Sequence, residues 1–244
     1  MNKNEWFASW FDTSYYHSLY KNRDEQEAKE FIVNLVNDLG LQKKQTVLDL
    51  ACGKGRHSIT LNELGMNVQG VDLSSNSIKT AQLSQNESLS FSVQDMRKAF
   101  TSNEFEVVFN LFTSFGYFDN MNDNLEVIKA IKTMLKKDGT LVIDFMNSSK
   151  VISNLVPSEV KTEDNIEFNI TREYDGKHIF KHIKFNDNNQ NHHYTERVQA
   201  LKYIDFKNLL EEVGFDIVKT FGDFKLNPFN EKTSDRLILI AKSI

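Results

Sequence analysis

Residues 47–58 read VLDLACGKGRHS, and this stretch limits what the chain can fold into more than any other. Val47 to Ala51 is a short apolar run typical of a buried strand, yet it carries an acid, Asp49. Ala51-Cys52-Gly53-Lys54-Gly55 follows as a turn. From Arg56 a helical pattern begins, with Ile59, Leu61 and Leu64 apolar and Gly65 as its stop. A strand that ends in a Gly-rich turn and feeds a helix aims free N–H groups and a positive dipole end at one spot. Such a spot suits a carboxylate or a phosphate. Gly53 and Gly55 lack the Cβ atoms that would hold a ligand off the backbone. Asp49 can accept hydrogen bonds or balance a cation.

The same alternation runs through the first 150 residues. Asp24 to Glu27 reads as a capping box, opening a helix that carries Ala28, Phe31, Ile32, Leu35, Val36 and Leu39 on one face and stops at Gly40. Strand patterns at 67–72, 89–93, 105–109 and 141–145 are separated by helical ones. One helix is capped by Ser74 or Ser75 and holds Ile78 and Ala81; another spans 125–135 and ends near Gly139. The fold class that follows is α/β, a mostly parallel sheet with helices on both faces.

The style then changes. Ile166, Phe168 and Ile170 alternate with polar residues, and Asp175-Gly176 is a hairpin signal. Ile179, Ile183 and Phe185 make a second strand, Asn186 to Asn191 a second turn, and Tyr194 to Leu201 a third strand. This is an antiparallel elaboration longer than an ordinary loop. A helix at 205–213 stops at Gly214. Strands at 215–221 and 236–241 close the chain as an antiparallel pair at the sheet edge. The expected organisation is one domain: an N-terminal segment 1–23, a core 24–150, the elaboration 151–202, and closing elements 203–244.

Composition excludes some functions. Hydrophobic residues are 40% and charged residues 26%, ordinary for a globular protein, and the net charge of −5 argues against broad phosphate neutralisation. No nucleic-acid partner is expected. Cys52 is the one cysteine, so no intrachain disulfide forms, and a reducing cytoplasm fits. No run approaches the ~20 apolar residues of a membrane span.

Two more acids complete the rim. Asp72 stands at the tip of the second strand, where adenosine-binding sheets meet the ribose: an ionised carboxylate accepts from two neighbouring hydroxyls. Asp95 follows the third strand and can read an exocyclic amine, with Leu73 and Met96 as apolar walls for a ring. A nicotinamide-binding sheet also uses a Gly-rich first turn and an acid on the second strand. Here the spacing is Gly53-x-Gly55-x-x-Ser58, which departs from the dinucleotide pattern.

VLDLACGKG, VDLS and QDMR, in this order and spacing, resemble the class I S-adenosylmethionine-dependent methyltransferases. Asp49-x-Ala51-x-Gly53-x-Gly55 is similar to that family's Asp/Glu-x-Gly-x-Gly-x-Gly signature, with alanine in place of the first glycine. The resemblance covers roughly residues 20–150 and the closing strands. It implies a Rossmann-like sheet of seven strands with the last antiparallel, and S-adenosylmethionine as cofactor. It implies that Asp49 and the loop Ala51, Cys52, Gly53 and Gly55 hold the methionine part. Asp72 would take the ribose hydroxyls and Asp95 with Met96 the adenine. Asn110, Leu111 and Phe112 would border the sulfonium and its methyl. Tyr16 to Tyr20 with Arg23 look like the lid segment of a bacterial small-molecule N-methyltransferase subgroup, in which Tyr20 and Arg23 would reach the cofactor's carboxylate.

The implied activity is methyl transfer to a nitrogen or oxygen on a small molecule, by in-line displacement that depends mainly on positioning. The alternatives are a nicotinamide oxidoreductase and a module that binds the cofactor without consuming it. No catalytic residue stands out. Asp144, Asn147, Tyr16, His17 and Tyr117 are the candidate bases. Cys52 reads as a small turn residue, His57 as a packing or hydrogen-bonding residue, and Lys54 and Arg56 as solvated charges near the site. His178, His182, His192 and His193 fall in the elaboration as part of a polar sheet face, and no metal is expected. The aromatic run Phe112 to Phe118 divides between core and substrate cavity.

Overall fold

The protein is described by a computed structural model covering residues 6–21 and 25–244. Asp24, the expected capping residue, and Arg23 lie outside the described residues. The chain opens with two short helices, α1 (Trp6–Trp10) and α2 (Ser14–Leu19). The core follows as α3 (Glu25–Leu39), β1 (Thr46–Leu50), α4 (Arg56–Glu63), β2 (Asn67–Asp72), α5 (Ser75–Ala81), β3 (Leu89–Val93), β4 (Phe105–Asn110), α6 (Met121–Met134) and β5 (Leu135–Met146). After α7 (Ser148–Ser153) come β6 (Ser158–Glu163), β7 (Ile166–Tyr174), β8 (His178–Asp187) and β9 (Gln190–Gln199). The chain closes with α8 (Tyr203–Val213), β10 (Phe215–Phe221) and β11 (Arg236–Ser243).

The main sheet has seven strands in the order β10-β11-β5-β4-β1-β2-β3. All run parallel except β11, which is antiparallel to both β10 and β5. β1 is buried along almost its whole length because helices cover both faces. Its side chains alternate: Val47 packs under α3 and α4, whereas Leu48 and Leu50 pack under α6 and α8. Asp49 shares the Val47 face, which turns its carboxylate toward α4. The strand order reverses between β1 and β4, and in open α/β sheets that reversal opens a crevice beyond the carboxyl ends of the strands.

The second sheet is an antiparallel meander, β6-β7-β8-β9. The sequence announced only three of these strands. β6, SEVKTE, is an edge strand with four of its six residues exposed, so it carries no apolar alternation to read. α1 and α2 dock on this sheet through Trp10 and Leu19, which are buried against Phe168, Ile170, Ile183 and Phe185. Truncating a fully buried tryptophan such as Trp10 to alanine costs about 3–5 kcal/mol, so this small cluster is enough to fix the N-terminal segment.

Candidate active site

A cavity of about 430 Å³ lies at the carboxyl ends of the parallel strands. Its floor is the β1–α4 loop, Ala51 to Lys54, with Asp72 and Leu73 from the end of β2 and Asp95 and Met96 after β3. Leu111 and Phe112, after β4, close one side. Phe11, Tyr16, His17 and Tyr20 from the N-terminal segment cover it. The structure therefore brings most of the expected residues to one wall, and it adds Phe11, which nothing in the sequence singled out.

The loop is shaped by two unusual backbone conformations and one carboxylate. Ala51 has φ of 64° and Gly53 of 56°, in the left-handed region where a non-glycine residue is strained. A Cβ on Gly53 would meet nothing within 4 Å, so its backbone opens onto free space. The Gly53 N–H donates to Asp72 Oδ2 at 2.8 Å, and the Ser74 N–H donates to Asp72 Oδ1 at 2.8 Å. Asp72 thus ties the loop after β1 to the start of α5. Burial pushes its carboxyl pKa up, and the N–H donors of Ser74 and Gly53 work against that rise.

Three expected site residues stand behind the wall instead of on it. Asp49 is 1% exposed and accepts a 2.6 Å hydrogen bond from the Ser58 hydroxyl of α4. Burial raises its pKa to about 6, only partly countered by Ser58. It braces the loop from below. Gly55 is needed for packing, not for ligand clearance. With φ of 84° it caps α4, and a Cβ there would sit 2.7 Å from the Phe91 ring. Asn110 is fully buried, and its side-chain amide donates to the Leu50 carbonyl at 3.0 Å, holding β4 to β1 beneath the loop.

Asp95 is on the wall, already held by Arg97. Arg97 Nη2 lies 2.7 Å from Oδ2, and Nε and the backbone N–H each lie 3.0 Å from Oδ1. Burial raises the Asp95 pKa, but the Arg97 hydrogen bonds outweigh it and leave the group below the usual range. Tyr20 lines the cavity with its ring. Its hydroxyl faces the meander, donating to Glu196 and accepting from Lys181 Nζ at 2.6 Å. Arg56 is more than a solvated charge: its guanidinium lies 4.1 Å above the Phe112 ring. Cys52 is buried, and burial together with Asp49 and Asp72 pushes its thiol pKa well up, which leaves it inert.

Two candidate bases are committed elsewhere. Asp144 is fully buried and ion-paired with Arg236 at 2.7 Å. The side-chain amide of Asn147 donates to the carbonyls of Glu231 and Ser234, both at 2.8 Å, which pins the loop before β11. Tyr16, His17 and Tyr117 do line the cavity. In the meander, His182 Nε2 pairs with Glu173 and its Nδ1 with Thr195. Among the described residues, no three His, Cys, Asp or Glu side chains converge on a metal position, and no helix is long and apolar enough to cross a membrane.

Known proteins resemble this chain in sequence and in fold. Residues 41–200 match the family model described as a methyltransferase domain. The Bacillus subtilis protein YqeM, named as a methyltransferase, is 27% identical over 197 residues, 77% of this chain and 80% of its own length. A glycine/sarcosine N-methyltransferase of Aphanothece halophytica is 27% identical over 221 residues, 87% of this chain and 80% of its own. In fold, the chain is similar to an S-adenosylmethionine-dependent methyltransferase from Clostridium acetobutylicum, with a TM-score of 0.79 at 20% identity over 94% of this chain and 96% of that one. The family model spans the β1–α4 loop, Asp72, Asp95, Leu111 and Phe112, which form the floor and one side of the cavity, and it also spans the meander. The chain belongs to the class I S-adenosylmethionine-dependent methyltransferases.

Proposed function

We propose that the protein transfers a methyl group to an amine nitrogen of a small molecule. S-adenosylmethionine, when bound, supplies that methyl on a positively charged sulfonium. The residues present fit the group. The open backbone at Gly53 and the adjoining Ala51 and Cys52 would hold its methionine part, and the Asp72 carboxylate its ribose hydroxyls. Leu73 and Met96 would cover the faces of the adenine, with Asp95 at its amine edge. Leu111 and Phe112 would border the reacting methyl.

The observation that carries the choice of nitrogen is the aromatic cover. Phe11 lies between Tyr16 at 4.8 Å and Tyr117 at 5.3 Å between ring centroids, and all three rings line the cavity. Transfer of the methyl from the bound cofactor to a neutral amine, with the carbon–sulfur electron pair left on sulfur, would put the positive charge on the nitrogen. Aromatic faces stabilise such a charge by about 0.5–2 kcal/mol, and the neutral product of an ionised oxygen gains nothing comparable. A neutral amine needs no base for this step, which agrees with the commitment of Asp144 and Asn147 to structure. The rings also exclude water and fix the direction of approach, and positioning of this kind is worth on the order of 7–11 kcal/mol in favourable cases. One relative is named for methylating glycine and sarcosine, and a solved structure of similar fold is an amino pentose methyltransferase.

The test uses S-adenosylmethionine labelled in its methyl group, offered with a panel of primary and secondary amines, phenols and carboxylic acids. Label should enter amines. Incorporation confined to hydroxyl or carboxyl acceptors would refute the assignment.

A further inference from the structure

β4 ends at Asn110, and the chain then turns sharply to wall the cavity. It does so through Phe112 and Thr113, with φ of 57° and 60°. Two successive non-glycine residues in the left-handed region are unfavourable, and for a β-branched residue such as Thr113 the conformation is an outlier. Something must hold it. The Phe112 N–H donates to Asp144 Oδ2 at 2.8 Å, and the Thr113 N–H donates to the Asp144 main-chain oxygen at 2.9 Å. One residue of β5 therefore accepts from both strained amides.

Asp144 is fully buried, where an unpaired carboxylate would be untenable. Arg236 resolves this. Its Nε donates to Asp144 Oδ1 at 2.7 Å, and its Nη2 donates to Thr113 Oγ1 at 3.1 Å. The antiparallel register of β11 on β5 sets Ile238 opposite Asp144 and Arg236 opposite Met146, so both charged side chains emerge on one face. The guanidinium also lies 5.3 Å from the Phe224 ring, which stacks on Phe112 at 5.2 Å, and Arg56 covers the Phe112 ring at 4.1 Å. The backbone of Phe112 is thus fixed from outside the cavity by Asp144, and its ring is held between Phe224 and Arg56, the latter itself at the cavity wall.

We propose that Asp144 and Arg236 are positioning residues of this methyltransferase. They hold the Phe112–Thr113 turn in its strained form, and so set the wall that the proposed site places beside the sulfonium. The need for a charged acceptor follows from the geometry. The Asp144 carboxylate accepts from the Phe112 amide and from Arg236, whose Nη2 in turn donates to the Thr113 hydroxyl, and a neutral residue at 144 would leave Arg236 without this counter-charge. This proposal rests on the reading of Leu111 and Phe112 as the border of the cofactor's reacting end.

Calorimetric titration with S-adenosylmethionine decides it without a known acceptor. Wild type, Asp144→Asn, Arg236→Lys and the double variant Asp144→Asn/Thr113→Gly are compared. Asp144→Asn and Arg236→Lys should each weaken binding at least tenfold. Glycine adopts φ near 60° without strain, so Thr113→Gly should recover at least threefold of the Asp144→Asn loss. If Asp144→Asn does not fold, the affinity of Arg236→Lys alone decides the matter. Unchanged affinity in the folded variants, or an equal loss with no recovery by glycine, overturns the proposal: the pair would then merely stabilise the sheet. Failure of wild type to bind the cofactor at all would instead count against the site itself, which keeps the two outcomes apart.

Discussion

The Gly53 N–H donates to the Asp72 carboxylate at 2.8 Å, joining the loop after the first strand to the tip of the second. The two signals that the sequence offered separately, a glycine turn and a rim acid, are one hydrogen-bonded unit. Through Ser74 the unit extends to Asp12 in the N-terminal segment, so floor and cover of the cavity are linked.

Asp49 gives a pH signature. Its folded-state pKa of about 6 exceeds the ordinary 3.8, so folding takes up a proton between those values. The stability it contributes is present below pH 3.8 and is lost as pH rises through 6. The displacement corresponds to roughly 3 kcal/mol. Asp49→Asn keeps an acceptor for Ser58 and removes the buried charge. Urea unfolding should show the variant equal to wild type near pH 4 and more stable above pH 6. A variant less stable than wild type at pH 7.5 would contradict this.

Ala51 occupies the left-handed region at φ 64°. An L-residue loses about 1–2 kcal/mol there, and glycine loses about 0.5–1 kcal/mol through its freer unfolded chain. Ala51→Gly should therefore stabilise by about 0.5–1 kcal/mol, raising Tm by roughly 1–4 °C in scanning calorimetry. A lower Tm would show that the strain is not real.

Asp12 latches the cover. Its Oδ1 accepts from the Ser74 hydroxyl at 2.5 Å, and its Oδ2 accepts from the Asn76 side chain at 2.7 Å. Asp12→Ala should speed dissociation of S-adenosylhomocysteine by roughly tenfold, for the loss of about 1.4 kcal/mol of hydrogen bonding. Stopped-flow displacement measures this, and an unaltered rate would mean that the ligand leaves by another path.

Glu196 anchors the cover to the meander. It accepts from Trp10 Nε1 and from the Tyr20 hydroxyl, each at 2.8 Å, beside the half-buried Lys181. Burial lowers the Lys181 pKa, and Glu196 partly offsets this. Glu196→Gln should cost about 1–3 kcal/mol in chemical denaturation. It should also raise protease sensitivity within residues 6–21. Equal stability would show that the apolar contacts of Trp10 suffice.

The sequence disclosed the sheet because its central strands, β1 and β4, are buried on both faces and read as apolar runs, and the strands beside them keep an apolar face between helical patterns. It disclosed the rim acids because Asp72 ends one strand pattern and Asp95 stands two residues past the next. It could not disclose β6, whose polar residues face solvent, nor α7 (Ser148–Ser153), too short to show a period. It placed Asp49 and Asn110 at the cavity because spacing locates a residue along a strand but says little of what a buried side chain meets across the fold. Ser58 and Leu50 are what they meet. The Asp144–Arg236 pair spans 92 positions, and only the antiparallel register of β11 brings the two together.

Asp72, and the cofactor it is proposed to hold, stand at the centre of the site. Calorimetry with S-adenosylhomocysteine on wild type and Asp72→Ala is the direct test. Wild type should bind it and ignore NADH. Asp72→Ala, folded by circular dichroism, should lose about thirty- to a hundredfold in affinity, as expected for charge-assisted hydrogen bonds worth roughly 2–3 kcal/mol. Equal affinity in the two proteins would contradict the proposed site.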